Sequence, residues 1–294
     1  MSSYVIFIDS TTDLPAKMAD ELGLNVIPYI YTLDGKEYYN HLDYRDLSVK
    51  DFYNALRAGK TGSTTQVTSH RYFEAWKPFL EDGKDVIYMC LSSMLSKSYE
   101  QSILAAREAE ETFPGRRVIT IDSKSASLGQ GLLAVKAAKA RDEGKSLEEA
   151  AAYLESIVPK IQLWIMADDL QHLKRGGRIS GAKAVVGTML NVKPILTFSD
   201  TGRLAPVGKA RGRSKAIALF IEQMEKYKYI KGETIYIAHS DVPELAHQLK
   251  EAVEESYGEK DIIVNEVGPV IGAHTGPGTI AIVFIGNEER EKVE

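Results

Sequence analysis

The segment Leu91-Ser92-Ser93-Met94-Leu95-Ser96 places two adjacent hydroxyl groups directly after a short apolar run. Residues 85–91 are rich in β-branched and bulky side chains and predict a strand, whereas residues 99–113 carry apolar side chains at helical spacing. We therefore expect Ser92 and Ser93 to lie where a strand ends and a helix begins. Free helix amides and the positive end of the helix dipole attract anions, so this turn is a candidate anion site.

Two other predicted strands also end in hydroxyl-bearing turns. The strand at 4–8 is followed by Asp9-Ser10-Thr11-Thr12, and the strand at 117–121 is followed by Asp122-Ser123. Alternating strands and helices favour a parallel sheet, in which ligands collect at the carboxyl ends of the strands. We expect these turns to share one edge of that sheet with Ser93.

Two more stretches are candidate ligand contacts. Residues 61–69 contain Thr64, Thr65 and several other hydroxyl groups, and we interpret them as a polar loop. Residues 268–278 contain His274 in a run of glycine and proline, for which we expect no regular structure. Glycine would let the backbone approach a ligand closely there.

Known catalytic motifs fit this chain poorly. Residues 176–183 approach a phosphate-binding loop, but an extra residue interrupts the required Gly-Lys pair. No hydrolase nucleophile elbow or zinc motif occurs. Asp9 suggests an aspartyl-phosphate nucleophile, yet Thr11 replaces the second acid of such a site. A stand-alone hydrolase or phosphotransferase using Asp9 or Ser93 is the alternative function, and we expect no ATP site within the chain.

The elements that must position these groups predict an α/β protein of two domains, 1–158 and 159–294. We expect a mainly parallel sheet in the N-terminal domain and a mixed sheet in the C-terminal domain. Asp13 and Asp241 are predicted helix caps, and Ser146 with Glu149 forms a capping box. An Asp-Gly pair predicts a hairpin between strands at 25–32 and 37–40, and residues 182–192 predict a buried helix.

Composition narrows the function classes. The chain has 294 residues, of which 44% are hydrophobic and 26% charged, and a net charge of -5. Those values are typical of a globular protein and give no electrostatic reason to bind nucleic acid or to hold more than a transient contact with a membrane. No apolar run is long enough to cross a bilayer and no signal-peptide pattern is present, so we expect a cytoplasmic protein. The single cysteine, Cys90, is interpreted as a packed thiol, and the six scattered histidines predict no metal site.

Eight motifs together resemble the DegV family over nearly the whole chain. They are Asp9-Ser10-Thr11-Thr12-Asp13-Leu14-Pro15, Thr64-Thr65-Gln66, Leu91-Ser92-Ser93-x-Leu95-Ser96, Asp122-Ser123 with Gly129 and Gly131, Leu173-x-x-Gly176-Gly177-Arg178-Ile179, Lys193-Pro194-Ile195, Lys209-x-Arg211-Gly212 and Gly272-x-His274-x-Gly276-Pro277-Gly278. Val67 and Lys97 depart from the pattern, because the family often has proline and glycine there.

The resemblance implies a DegV-like protein that holds one long-chain fatty acid, such as palmitate or a C18 acid, between two α/β domains. Some family members present the carboxylate to the separate ATP-binding subunit of a bacterial fatty acid kinase, which links them to phospholipid synthesis. The resemblance implies no other cofactor, no metal and no catalytic residue in this chain. Because the family fold resembles the substrate-binding part of dihydroxyacetone kinases, a small-carbonyl binder anchored on His274 is a further alternative.

Carried over residue by residue, the resemblance places the carboxylate contacts at Thr64, Ser93 and His274. Hydroxyl groups and an imidazole can donate hydrogen bonds to a carboxylate without a buried lysine or arginine. The supporting loop residues are expected to be Thr65, Ser92, Ser123, Gly272 and Gly276.

The acyl chain requires an apolar wall. At ~0.8 kcal/mol per methylene, some fifteen buried methylenes supply on the order of 12 kcal/mol before association costs. The tail should therefore dominate the affinity. The residues expected to form this pocket are Ile165, Val186, Met189, Leu190, Ile195 and Ile271. Four arginines are candidates for docking or phosphate contacts: Arg175, Arg178, Arg203 and Arg211.

Overall fold

The structure is a computed structural model that describes residues 4–168, 170–179 and 191–293. The strands are β1 (Tyr4–Asp9), β2 (Leu24–Ile27), β3 (Tyr29–Leu33), β4 (Lys36–Asn40), β5 (Gly62–Thr65), β6 (Asp85–Cys90), β7 (Val118–Asp122), β8 (Ile161–Met166), β9 (Val192–Phe198), β10 (Leu204–Arg211), β11 (Ile235–His239), β12 (Ile262–Glu266) and β13 (Ile280–Ile285). The helices are α1 (Ala16–Glu21), α2 (Val49–Arg57), α3 (Ser69–Glu81), α4 (Ser98–Thr112), α5 (Leu128–Asp142), α6 (Leu147–Ile157), α7 (Gln171–Arg175), α8 (Arg213–Lys226), α9 (Pro243–Tyr257) and α10 (Pro269–Thr275). The helix predicted at 182–192 lies almost wholly outside the described residues.

The first half of the chain contains the expected parallel sheet, in the order β2-β1-β6-β7. Its carboxyl edge brings two of the predicted turns into contact, because Ser93 Oγ donates to Asp122 Oδ2 over 2.5 Å. The strand predicted at 25–32 is in fact two strands in different sheets. Pro28 has no N–H for a continuous ladder, and the Tyr29 amide bonds the Ser10 hydroxyl instead.

A three-stranded antiparallel sheet, β4-β3-β5, packs beside the parallel one. Its β3–β4 hairpin turns at Asp34-Gly35, both in the left-handed region, which confirms the predicted Asp-Gly turn. The interpretation of 61–69 as a loop was wrong for residues 62–65, which form β5 against β3. In that register Thr64 lies opposite Tyr31, so alternate residues of β3 share its face.

The second half contains the expected mixed sheet, in the order β10-β9-β8-β13-β11-β12. Only the β11–β12 pair is parallel, and its other pairings are antiparallel. The largest apolar cluster draws residues from both halves, including Leu128 of α5, Leu163 of β8 and Val283 of β13. The two halves therefore share one core. Within the described ranges, no helix combines the length and apolar character needed to cross a bilayer.

Three predicted helix starts are wrong, at Ser92-Ser93, Asp13 and Asp241, because these residues bond other groups instead. Helix α4 begins at Ser98 rather than at Ser92-Ser93, because the Ser92 amide donates to Ser125 and the Ser96 hydroxyl accepts from the Ser98 amide.

Neither predicted aspartate caps its helix. Asp13 receives hydrogen bonds from Ser127 Oγ and from the amide of Gly268 in the second half, whereas Asp241 pairs with Arg57 of the first half. By contrast, the capping box of α6 is confirmed.

The glycine and proline run at 268–278 is partly regular, which corrects the prediction. Helix α10 begins with Pro269, whose missing N–H is harmless in the first turn, and is followed after Thr275 by the capping residue Gly276 with φ of 75°. Gly272 is required for packing, since a methyl group there would come within 2.5 Å of the Tyr53 hydroxyl oxygen. The short helix thereby holds His274 against the first half.

Candidate functional site

A cavity of about 690 Å³ lies between the two halves. Apolar side chains of the six-stranded sheet and of α5 line one part, which we call the apolar end; they include Leu128, Leu163, Phe198, Ala281 and Val283. The other end is polar and is lined by Thr64, Ser93, Ser96, Arg178 and His274. Its volume is within the usual range for small-molecule sites, and its two ends suit an amphipathic ligand.

Thr64 and His274 meet across the two halves. Thr64 on β5 and His274 on α10 form a hydrogen bond of 2.9 Å between Oγ1 and Nε2. Burial, reinforced by the charge of Arg178, lowers the pKa of His274 to about 4. The imidazole is therefore neutral at pH 7 and carries a single N–H.

Gly176 sets the position of that ring. A methyl group on Gly176 would come within 2.3 Å of His274 Nδ1. Only glycine allows this close approach, so the Leu173-x-x-Gly176-Gly177 motif acts by making room for the histidine.

Ser93 is held by an acidic partner that the sequence reasoning missed. Its hydroxyl donates to Asp122 Oδ2 over 2.5 Å, and its amide donates to Asp122 Oδ1 over 3.2 Å. The sequence carried a signal for this contact, since Asp122 ends the strand adjacent to β6. The Ser123 hydroxyl donates to the Ser125 carbonyl away from the cavity lining.

Of the remaining supporting residues, one lines the cavity and the others hold neighbouring parts of the structure together. Thr65 lines the cavity. Ser92 Oγ donates to the Gly202 carbonyl over 2.7 Å and so joins the two halves. Gly272 and Gly276 make room for neighbouring side chains, Gly276 for the ring of His172.

Arg178 is the one candidate arginine among the described lining residues. Its Nε donates to the Leu95 carbonyl over 3.2 Å and its Nη1 to the Gly176 carbonyl over 2.5 Å. Those bonds fix a positive charge at the polar end, next to the turn that carries Ser93.

Two of the six residues expected to form the acyl-chain pocket line the cavity. Ile165 and Ile271 line the cavity, whereas Ile195 packs with Trp164 and Met166 in a separate core on the other face of the six-stranded sheet. Strand alternation explains the difference, because neighbouring residues on a strand face opposite sides. Val186, Met189 and Leu190 lie outside the described residues.

The two departures from the family pattern have distinct settings. The Val67 amide donates to Ser98 Oγ over 3.2 Å, a bond that proline could not make. Lys97 is exposed and lines the polar end of the cavity.

Asp9 is buried among hydrogen-bond donors rather than at the cavity. Its carboxylate accepts from Thr11, Tyr88 and Gln130, and burial raises its pKa despite those bonds. Across the described ranges no three metal-binding side chains come together.

The fold and the site define a class of α/β protein in which two halves enclose an apolar cavity with neutral hydrogen-bond donors at one end. The chain belongs to the DegV family, because the model described as "Uncharacterised protein, DegV family" matches residues 3–287.

Individual relatives agree with that membership over nearly their full lengths. A DegV domain-containing protein of Clostridium perfringens is 41% identical over 288 residues, which cover 98% of this chain and 99% of that protein. A solved structure described as fatty acid binding of a DegV family protein from Thermus thermophilus is 31% identical, with a TM-score of 0.86 and coverage of 97% of this chain and 99% of that one. The structure of DegV described as a fatty acid binding protein from Bacillus subtilis is 28% identical, with a TM-score of 0.82 and coverage of 98% and 100%.

Proposed function

We propose that this chain binds one long-chain fatty acid between its two halves and presents the carboxylate to the separate ATP-binding subunit of a fatty acid kinase. The observation that carries the proposal is one cavity that has an apolar wall and is also lined by Thr64, Ser93 and His274, of which Thr64 and His274 are hydrogen-bonded to each other. Relatives from Thermus thermophilus and Bacillus subtilis that are described as fatty acid binding support it.

The electrostatics of the polar end suit a carboxylate that must react later. Thr64, Ser93 and neutral His274 offer hydrogen bonds without forming a tight ion pair, so they would leave the carboxylate oxygens nucleophilic. Arg178 adds one fixed positive charge near the same end. That charge would favour both an anionic head group and the phosphate that a kinase delivers.

A separate subunit enters the proposal as the source of ATP. The chain contains no intact phosphate-binding loop, which is consistent with ATP being held by that subunit. Exposed Lys97 and partly exposed Arg178 stand at the polar end, where a partner could approach.

The alternatives are less well supported. Asp9 is fully buried and is not among the described residues that line the cavity. Ser93 donates to Asp122, whereas the imidazole that could serve as its base bonds Thr64. His274 as a covalent anchor needs an accessible ring nitrogen, yet Nε2 is hydrogen-bonded to Thr64 and Nδ1 lies so near Gly176 that a methyl group there would meet it.

Two measurements test the proposal. Native mass spectrometry of the purified protein should show a co-purified acyl chain, and the delipidated protein should bind palmitate in a 1:1 ratio by calorimetry. Methyl palmitate, which lacks the carboxylate, should bind more weakly. Protein that carries no lipid and rejects added palmitate would disprove the binding function.

The kinase step needs its own test. With ATP and the ATP-binding subunit of a fatty acid kinase, the loaded protein should yield acyl phosphate, and neither protein should do so alone. Hydrolysis or phosphoryl transfer by this chain alone, abolished by Ser93→Ala or Asp9→Asn, would favour the enzyme alternative.

A further inference from the structure

Tyr29 lines the cavity and carries a buried hydroxyl group without a hydrogen-bond partner among the described residues. The residue is only 2% exposed, and its side chain lines the cavity beside Gln66 and Ser96. Among the described residues its hydroxyl has no hydrogen-bond partner. Leaving a buried hydroxyl unpaired is costly, so a cavity-lining one indicates a partner that arrives with the ligand.

The backbone holds Tyr29 at the polar end. Tyr29 and Tyr31 lie on the same face of β3, and Tyr31 is the register partner of Thr64. The Tyr29 amide is fixed by its bond to Ser10 Oγ over 3.0 Å. The ring therefore extends from the same sheet face that presents Thr64.

Counting hydrogens shows why another donor is needed. A carboxylate has two oxygens and about four acceptor sites. The Ser93 hydrogen is directed to Asp122, and one hydrogen is shared between Thr64 and His274. Some of the hydrogens of Thr64, Ser93 and His274 are therefore already used in bonds to protein groups, so these residues alone can donate fewer than three hydrogen bonds to a carboxylate.

The Tyr29 hydroxyl remains protonated under ordinary conditions. Burial, together with the nearby Asp9, raises the pKa of Tyr29 far above its usual value. Ser98 and Ser96 lie close enough to influence that pKa but outside hydrogen-bond geometry. Tyr29 is consequently a neutral donor, like the other groups at this end.

We propose that Tyr29 is a further ligand-binding residue, whose hydroxyl donates a hydrogen bond to the carboxylate of the bound fatty acid. The inference rests on the proposed fatty-acid function and extends the head-group site from the loops into β3.

The test compares Tyr29→Phe with the wild type and with Tyr72→Phe, all delipidated. Tyr72 is a matched control, because it is equally buried but its hydroxyl bonds Tyr88 over 2.9 Å and it is not among the described lining residues. Tyr29→Phe should weaken palmitate binding by roughly 10-fold or more, as loss of a hydrogen bond to a charged group does. Its affinity for methyl palmitate should fall by less.

Stability gives a second, opposite readout. Tyr29→Phe removes an unpaired buried hydroxyl, so the melting temperature of the empty protein should stay the same or rise. Tyr72→Phe breaks a buried hydrogen bond, so its melting temperature should fall while its affinity for palmitate stays that of the wild type.

Each contrary result has a distinct meaning. If the wild type binds palmitate and Tyr29→Phe binds it equally well, the inference is overturned and the proposed function stands. Equal losses of affinity for palmitate and for its methyl ester would also overturn it, since the hydroxyl would then not bind the carboxylate group. Failure of the wild type to bind palmitate would overturn both.

Discussion

Replacing Asp13 with asparagine should remove a pH-dependent part of the stability of the empty protein. Asp13 is 1% exposed and accepts hydrogen bonds from Ser127 Oγ over 2.5 Å and from the Gly268 amide over 2.9 Å. Burial outweighs these bonds and, helped by the charge of Asp9, raises the pKa of Asp13 from 3.8 to about 7. The carboxyl group that joins the two halves is thus easier to protonate when the chain is folded.

The sign of the effect follows from proton binding. Between about pH 4 and 7 the folded chain keeps a proton on Asp13 that the unfolded chain has lost. This contribution to stability is complete below the unfolded pKa and disappears as the pH rises through about 7. From the two pKa values, roughly 2 to 3 kcal/mol of unfolding free energy should be lost between about pH 5 and 8.

Urea unfolding of the delipidated protein at several pH values between 5 and 8 measures that loss. Other buried groups titrate as well, since burial raises the pKa of Asp9 and Glu266 and lowers that of His239 and His274. The informative quantity is therefore the difference between wild type and Asp13→Asn at each pH.

The wild type should gain stability over Asp13→Asn as the pH falls from 8 to 5. Asp20→Asn, a change at an exposed site on α1, is the control and should leave the pH dependence unchanged. Identical pH profiles for wild type and Asp13→Asn would refute the reasoning.

Three further changes test the site itself. Thr64→Val removes the partner of His274 Nε2 and should weaken palmitate binding about 10-fold by calorimetry, and unchanged affinity would contradict the role of this hydrogen bond. Gly176→Ala should displace the His274 ring, so its imidazole NMR signals should shift while the fold is retained, and unmoved signals would count against the close approach. Ala281→Phe would fill part of the apolar end, so it should reduce affinity for a C18 acid more than for a C12 acid, and equal losses would place the tail elsewhere.

Local sequence patterns predicted the elements and the sheet classes. Alternating strands and helices indicated the parallel sheet, and the Asp-Gly pair indicated the β3–β4 hairpin. These features depend on short-range preferences that a single sequence carries. They also brought Ser93 to the edge where Asp122 ends β7.

The failures arose where a distant contact outweighs a local preference. Asp13 has the sequence setting of a helix cap, yet its carboxylate bonds Gly268, 255 residues away. Residues 269–275 have a composition that disfavours helix, yet they form helix α10, which packs against α2. Neither partner can be read from the residues next to it.

The candidate site was likewise predictable from the sequence only in part. Thr64, Ser93 and His274 were expected from motif resemblance, and in the structure all three line one cavity. Tyr29 looked like an ordinary strand residue, because an unpaired hydroxyl is visible only after folding. Ile195 looked like pocket lining, but its strand turns it to the opposite face.

The shared core has a consequence for the lifetime of the protein. A ligand in this cavity would complete an interior built by both halves, so it would bind the folded chain and not the unfolded one. At a free concentration 100 times the dissociation constant, such a ligand adds about 2.7 kcal/mol to the stability. Proteases that cleave transiently opened chains would then meet roughly 100-fold fewer of them. The amount of the protein in a cell would accordingly follow the supply of its ligand without any dedicated regulator.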